Sequence, residues 1–479
     1  MFETRLYING EWTEGAARQD VTNPATRAVI AQVSQANAEQ VDQAVAAAHA
    51  AFPLWSGQSP RKRAQFLNQI SQLMLKKKSE IAQILSQEEG KPLAEAVGEV
   101  IYSADFFAWY AEECRRLNGE LLAPTKPGQE LKVTRAPVGV VAAITPWNFP
   151  IGMLARKLAP ALAAGCTVVL KPASQTPLTA IKFMEIVHEI GLPPGVINLI
   201  IGSGSAIGSQ LMADRRVRKV TFTGSTQVGS AIMRQAADRI VNVSLELGGH
   251  APFIVLDDAD LSLAVKHLLL IKMRNAGQTC ISPNRIFVHR SQYDAFLQTL
   301  VEKVGQLVVG PYDLENVNVG PLIDQNAMKH MQAQVDDAVA KGARLLAGGK
   351  AYDDAALSQG NFYPPTVLAD VTTDMNIFHE ETFGPLIPVI PFDSDSELIE
   401  LANNCIFGLA AYLYTNNYKR AHAITEALEY GVIAVNDFTA SDLAHAPVGG
   451  MKESGIGREG GREGLDAFLE TKFTLVQYR

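Results

Sequence analysis

The run Asn275-Ala276-Gly277-Gln278-Thr279-Cys280 places one cysteine directly after small and polar residues on a predicted turn, where a carbonyl carbon can approach the thiol. Leu245-Glu246-Leu247-Gly248-Gly249 puts a carboxylate at the end of an apolar strand. Pro146-Trp147-Asn148-Phe149-Pro150 puts a side-chain amide on a turn stiffened by two prolines. These three residue types are a nucleophile, a base and a donor for a developing oxyanion. A carboxylate between two leucines is costly to bury as the anion, so its pKa is expected to rise, which suits a base that activates water. An amide fixed between prolines can meet developing charge without reorganising, and losing such a donor typically costs about 3–4 kcal/mol of barrier.

Each residue also has a plainer explanation. Free cysteines are most often small buried hydrophobes. That suits Cys166, in an Ala- and Val-rich stretch, and Cys405. It suits Cys280 poorly, because Gly277-Gln278-Thr279 does not read as core. Glu246 by itself could be an ordinary salt-bridged glutamate, and Asn148 a plain turn residue.

The elements that must position these groups follow from periodicity. Leu6 to Trp12 reads as a hairpin around Asn9-Gly10. From Asn37 to about Glu120, Ala-rich text with apolar residues three and four apart predicts helices. Lys76-Lys77-Lys78 reads as a solvated helix end. A buried strand over Val138–Ile144 opens an alternation. Helix Ala155–Ala164 precedes strand Thr167–Leu170, helix Thr176–Ile190 strand Val196–Ile201, helix Ala206–Ala213 strand Lys219–Thr223, and helix Thr226–Arg239 strand Asn242–Glu246. Such alternation predicts a parallel sheet with helices on both faces and ligands at the carboxyl ends of its strands. A second set begins with Ala251–Leu256. It continues with a helix capped within 257–260 and ending near Arg274, then strand Arg285–His289 and helix Gln292–Val304, in a second α/β domain reaching about Asn436. Ala123 to Thr134 carries Pro124, Pro127 and Gly128 and then alternates, as an arm leaving the body would; Ala467–Gln477 reads as a terminal strand.

Two glycine-bearing turns could meet a phosphate. Gly202-Ser203-Gly204-Ser205-Ala206-Ile207-Gly208 is one residue too long in its last spacing for Gly-x-Gly-x-x-Gly. Gly224-Ser225-Thr226-Gln227-Val228-Gly229 lies where backbone N–H groups and a hydroxyl can meet a pyrophosphate. The 479 residues call for more than one domain, and 47% hydrophobic with 19% charged content is that of a globular protein. A net charge of −8 argues against a nucleic-acid partner. No apolar run is long enough for a membrane span, and the N-terminal text has no secretory pattern. Four scattered cysteines and no His-rich cluster point to no disulfide framework, no metal site and a reducing cytoplasm.

Over nearly the whole chain the sequence resembles the aldehyde dehydrogenase superfamily, on the three motifs in this order and spacing. The stretches 171–177, 246–255 and 274–280 are closest to the NAD(P)-dependent succinate-semialdehyde dehydrogenases. The resemblance implies an α/β fold with a Rossmann-like cofactor domain (1–121 and 142–249), an α/β catalytic domain (250–436) and a small β oligomerisation arm (122–141 and 465–479). It implies that Cys280 attacks an aldehyde to give a thiohemiacetal, that hydride then leaves to a nicotinamide, and that the resulting thioester is hydrolysed. Asn148 and the Cys280 N–H would hold the oxyanion and Glu246 would activate water, with Lys157 close by. Acyl-transferring relatives that use coenzyme A lack the glutamate. Ser282 stands where some relatives carry a second, redox-switching cysteine. The cofactor, NADP and/or NAD, would be held by Ile144, Trp147, Lys171, Ser174, Gly204, Gly208, Gly224, Ser225 and Leu247, with Glu381 and Phe383 at the nicotinamide ribose and ring. NAD-selective relatives tend to carry a glutamate where Ser174 stands, so NADP is expected to be accepted.

Arg156, Arg274 and Ser441 match the residues that hold a substrate carboxylate. The loop from Asn436 to Gly449 is one residue longer than in that subfamily and contains Phe438 and His445. Succinate semialdehyde is therefore expected alongside alternatives: sulfolactaldehyde, glutarate semialdehyde, lactaldehyde or glycolaldehyde. A homodimer or homotetramer is implied. A non-catalytic descendant, or a thiol hydrolase without cofactor, are the readings outside this class.

Overall fold

The computed structural model describes residues 3–353, 356–438 and 442–478. β1 (Leu6–Ile8) and β2 (Glu11–Thr13) form the expected hairpin, with Asn9 and Gly10 both at positive φ. A second hairpin, β3 (Ala17–Thr22) with β4 (Val29–Gln35), escaped the sequence reading: β3 is largely polar with Val21 its one buried residue, and the consecutive Val29-Ile30-Ala31 of β4 breaks the alternation expected of a strand. Helices α1 (Ala38–Ser56), α2 (Pro60–Lys76), α3 (Lys78–Glu89) and α4 (Leu93–Glu113) follow, α1 started by an Asn37–Gln40 capping box. Then come β5 (Glu120–Leu122), β6 (Gln129–Pro137) and β7 (Val140–Ile144).

The alternation is α5 (Pro150–Ala164), β8 (Thr167–Lys171), α6 (Pro177–Glu189), β9 (Ile197–Leu199), α7 (Gly204–Ala213), β10 (Val217–Thr223), α8 (Thr226–Ala237) and β11 (Asn242–Glu246). The start of α5 corrects the sequence reading, which began this helix at Ala155. Pro150 occupies the first turn, which tolerates proline, and no local side chain caps it. Instead Glu99 of α4 accepts the N–H groups of Ile151 and Gly152 at 3.1 Å each, a cap no local pattern reveals.

In the first sheet the order is β2-β1-β9-β8-β7-β10-β11, with the short strand Gly455–Ile456 closing the far edge. β9, β8, β7, β10 and β11 run parallel. The chain winds outward from β7 through β8 to β9, then returns to β10 on the other side of β7. The carboxyl ends of β7 and β10 therefore flank a topological switch point, where such sheets bind ligands.

The second sheet is built from β12 (Ala251–Val255), β13 (Pro283–His289), β14 (Arg344–Ala347), β15 (Thr366–Ala369) and β16 (Leu386–Phe392), with Ala410–Tyr414 and Val432–Val435 beyond β12. A distinct hydrophobic core lies under each sheet, one drawn mainly from residues before Leu247 and the other from Ala251 to Ala434. β11 ends the first sheet at Glu246, and β12 begins the second only five residues later. The terminal strand Leu469–Gln477 pairs antiparallel with β6 along its whole length, from Leu469–Pro137 to Gln477–Gln129. With β5 it makes a three-stranded arm whose Leu121 and Phe473 are exposed. Among the described residues no helix is long and apolar enough to cross a membrane.

Candidate active site

The loop that carries Cys280 is short and strongly bent. α9 (Leu261–Lys272) ends two residues before Arg274, and Asn275, Ala276 and Gly277 then adopt positive φ in succession. Gly277 has no alternative, since a Cβ there would fall 2.2 Å from the Gly384 carbonyl. Contrary to the sequence reading, Gly277-Gln278-Thr279 is core: Gln278 is 0% exposed. Its amide turns inward, donating to Asn275 O at 3.0 Å and accepting from the Ile323 N–H at 2.9 Å, so the polar text is buried but satisfied. Cys280 follows, half-buried, just ahead of β13. Gly249 explains itself here, because a Cβ would lie 1.9 Å from the Cys280 carbonyl. The Leu-Gly-Gly exit from β11 thus lets the strand that ends at Glu246 and the Cys280 loop approach. Of the other cysteines, Cys166 is buried as read, whereas Cys405 is half-exposed at the end of a loop.

Asn148 sits in the turn between β7 and α5, buried, and its Nδ2 donates to Gln278 O at 2.9 Å. A primary amide has two N–H groups, and this bond aims the group at the nucleophile loop. Glu246 closes β11 in a pocket shared with Cys280. Burial holds its carboxyl well above the usual carboxylate range, and the neighbouring Glu459 pushes the same way, against Lys157 and Arg156. Burial, then Glu246 and Glu381, push the Cys280 thiol up to about 12, while Arg156 pulls it down. Lys157 does not line this pocket. Its Nζ pairs with Glu459 Oε1 at 2.6 Å and reaches Thr221 Oγ1 at 3.2 Å, behind the base. Glu459 escaped the sequence reading. Its only signal is a lone carboxylate in the glycine-rich run Gly457-Arg458-Glu459-Gly460-Gly461.

A second pocket opens from Cys280 toward the N-terminus of α8. Trp147, Asn148, Gly224, Ser225, Leu247, Glu381 and Phe383 line it. The rings of Trp147 and Phe383 meet edge to face with centroids 5.6 Å apart. Glu381 Oε1 accepts the Gly249 N–H at 2.9 Å, and burial lifts its carboxyl to about 7. Ser225 caps α8 by accepting from the Val228 N–H at 3.4 Å. The buried Thr223 hydroxyl on this wall has no hydrogen-bond partner among the described residues. An orphan hydroxyl, a helix N-terminus and two facing rings fit a dinucleotide.

The remaining cofactor candidates gather one strand over. Ile144 is the sheet partner of Lys171 at the ends of β7 and β8. Lys171 Nζ donates to Pro172 O at 2.9 Å, and burial pulls its ammonium down to about 8. Ser174 Oγ donates to Gly202 O at 3.1 Å. Gly204 starts α7 with its Cα face toward the Lys171 ammonium, whereas Gly208 has nothing packed against it and receives no structural explanation.

At the opposite end, Arg156 and Arg274 both line the Cys280 pocket, with Phe149 and Met153. Arg156 stacks on Phe106 at 5.0 Å and Arg274 on Phe149 at 5.0 Å. Asp442, absent from the sequence reading, also lines the pocket and pairs with Arg274 at 3.0 Å. Ser441 lies outside the described residues. Phe438 packs on the His267 ring and His445 on Trp109 rather than in the pocket wall.

The chain is 44% identical over 478 residues, covering 99% of it and 98% of the relative, to a succinate-semialdehyde dehydrogenase [NADP(+)] of Escherichia coli. It is 45% identical to a 3-sulfolactaldehyde dehydrogenase of Pseudomonas putida, over 99% of this chain and 97% of that one. A crystal structure of betaine aldehyde dehydrogenase from Staphylococcus aureus in complex with NAD+ superposes with a TM-score of 0.97 at 37% identity, covering 99% of this chain and 95% of that one. The aldehyde dehydrogenase family model matches residues 12–474. With its fold, its half-buried Cys280 and its two-sheet architecture, this chain belongs to the aldehyde dehydrogenase family.

Proposed function

We propose that this enzyme oxidises a short aldehyde bearing an anionic group to the carboxylic acid, with NADP or NAD as acceptor, and that succinate semialdehyde is its substrate. The observation that carries this is the convergence of Arg156 and Arg274 on the same buried pocket as Cys280 and Glu246. Guanidinium groups in an apolar-walled pocket are good carboxylate clamps.

The Cys280 thiolate adds to the aldehyde carbon, and the carbonyl oxygen becomes an oxyanion held by the Asn148 amide and the Cys280 N–H. Hydride would leave this carbon for a dinucleotide held in the adjoining pocket, the chemistry that such a group would supply. Cys280 is then left as a thioester. Glu246 takes a proton from water, whose oxygen attacks the thioester carbon, releasing the acid and the thiol. Lys157 and Glu459 stand behind Glu246 and set its charge environment. Trp147, Leu247, Gly224, Ser225, Glu381 and Phe383 would hold the nicotinamide half and the pyrophosphate. Ile144, Lys171, Ser174, Gly204 and Gly208 would hold the adenosine half. A lysine and a hydroxyl there suit a 2′-phosphate, in line with the relative named as NADP-dependent.

Residues 1–121 and 142–249 would be the cofactor domain, 250–436 the catalytic domain, and 122–141 with 465–479 an arm that joins subunits into a dimer or tetramer in the cytoplasm. The arm's exposed apolar residues and open strand edge support this.

The Arg274–Asp442 pair favours a second reading. A carboxylate in the pocket offers acceptors only and lowers the net positive charge, which suits a monoanionic aldehyde that also carries a hydroxyl. A 3-sulfolactaldehyde dehydrogenase among the relatives fits that class. Turnover of succinate semialdehyde, glutarate semialdehyde, sulfolactaldehyde, lactaldehyde and an uncharged aldehyde, each with both dinucleotides, tests both readings. The highest kcat/KM on the uncharged aldehyde would reject the anion pocket altogether.

A further inference from the structure

The residues around Lys91, between α3 and α4, form a buried charged cluster that the mechanism above does not use. Lys91 and Glu99 are fully enclosed, and Lys91 Nζ donates to Glu99 Oε2 at 2.5 Å. The same ammonium donates to the main-chain carbonyl of Asn148 at 2.8 Å and sits 3.9 Å from the centroid of the Phe149 ring. The other oxygen of Glu99 accepts the N–H groups of Ile151 and Gly152. One ion pair therefore grips the 148–152 segment twice, at the carbonyl of Asn148 and at the first turn of α5.

The nucleophile loop is tied to the same point. Asn275 Nδ2 donates to the Asn148 carbonyl at 3.0 Å, and the Asn148 amide donates to Gln278 O at 2.9 Å. The Asn275 N–H in turn donates to Glu95 Oε2 at 2.8 Å, one turn of α4 before Glu99. A buried ammonium is costly unless paired and hydrogen-bonded, and here a carboxylate, a carbonyl and a ring face compensate it. A buried ion pair is nevertheless a poor way to gain stability, since apolar residues of the same volume often do as well. What it supplies is direction. An oxyanion donor works only if it is fixed before charge develops.

We propose that Lys91, held by Glu99, is the positioning residue of the oxyanion site: it fixes the Asn148 backbone and so the aim of the Asn148 amide toward Cys280. The inference rests on Asn148 being the oxyanion donor. Lys91 itself touches no substrate. A displacement of about 1 Å in a catalytic group can slow the chemical step by about 100-fold.

The test compares Lys91→Met, the double variant K91M/E99Q, Asn148→Ala and the double variant K91M/N148A in the full-length enzyme. The double variant K91M/E99Q removes the short ion pair as a unit, while Glu89, whose buried carboxylate lies 3.9 Å from the Lys91 ammonium, is left in place in K91M and K91M/E99Q alike. Two readouts are taken. One is the single-turnover rate of reduced dinucleotide formation with succinate semialdehyde. The other is alkylation of Cys280 by iodoacetamide, which creates no oxyanion. The expected result is a single-turnover rate lowered by about 100-fold in K91M and K91M/E99Q, with KM and alkylation near wild type. Adding K91M to N148A should cost little more, because both act through one donor. The proposal is overturned by a folded K91M/E99Q enzyme with the wild-type single-turnover rate. A K91M loss that appears in full on top of N148A, or alkylation that falls in parallel with turnover, overturns it as well. An unchanged rate in Asn148→Ala alone removes the oxyanion assignment itself, which is a different failure from a silent Lys91.

Discussion

Burial favours the neutral forms of both Cys280 and Glu246. The Cys280 thiol stands at about 12 and the Glu246 carboxyl well above its ordinary range, burial being the first cause in each case. The reactive forms are the thiolate and the carboxylate, so each gains population as pH rises toward its raised pKa. The expected outcome is a kcat/KM that climbs from about pH 6 to about pH 9; a flat profile would contradict it. Glu246→Gln should keep the first burst of reduced dinucleotide and lose steady-state turnover by about 100-fold or more, because only deacylation needs the base. Arg274→Leu should raise the KM for an acidic aldehyde by about 10-fold or more, the worth of a charged hydrogen bond, and leave an uncharged aldehyde little affected. Equal effects on the two would reject the clamp.

That Cys280, Glu246 and Asn148 belong together was read from three motifs taken jointly with the family resemblance, and the fold brings all three to the walls of two pockets that share Cys280. Asp442, Glu459 and Lys91 were not legible in the sequence. Their partners Arg274, Lys157 and Asn148 are remote in sequence, so only folding gives them meaning.

At the scale of elements, the site exists because one sheet ends where another begins. β11 delivers Glu246, the glycines after it let the chain pass under the Cys280 loop, and β13 carries the chain away. Gly249→Ala is therefore expected to lower stability by about 1–3 kcal/mol and to change the iodoacetamide reactivity of Cys280, read by thermal melting and by alkylation rate. An unaltered melting temperature with unaltered alkylation would contradict the tight approach. The strand–helix alternation was readable from periodicity, since buried strands and amphipathic helices leave distinct patterns. The first turn of α5 and the bend at Asn275–Gly277 were not. One is capped by Glu99 from another helix, and the other is held by hydrogen bonds to Gln278 and Glu95 rather than by its own residue preferences. The β3–β4 hairpin was missed because neither the polar β3 nor the run Val29-Ile30-Ala31 of β4 shows clean apolar alternation.

For the whole molecule, two cores meet at a single reactive face and an arm projects from the first. The arm and the terminal strand were each read from pattern, a proline-rich break followed by alternation and an alternating tail, whereas their pairing was implied by the family resemblance. Removing residues 469–479 should strip the arm of its longest strand and shift the enzyme to smaller species in light scattering; an unchanged mass would remove the arm from assembly. The account as a whole depends on Cys280 carrying the substrate carbon through the reaction. Its most direct test is mass spectrometry of the Glu246→Gln enzyme quenched during turnover with succinate semialdehyde and NADP. An acyl adduct on the peptide that contains Cys280, formed together with reduced dinucleotide, is the predicted result. Reduced dinucleotide appearing with no adduct at Cys280, or with the adduct on another residue, would contradict it.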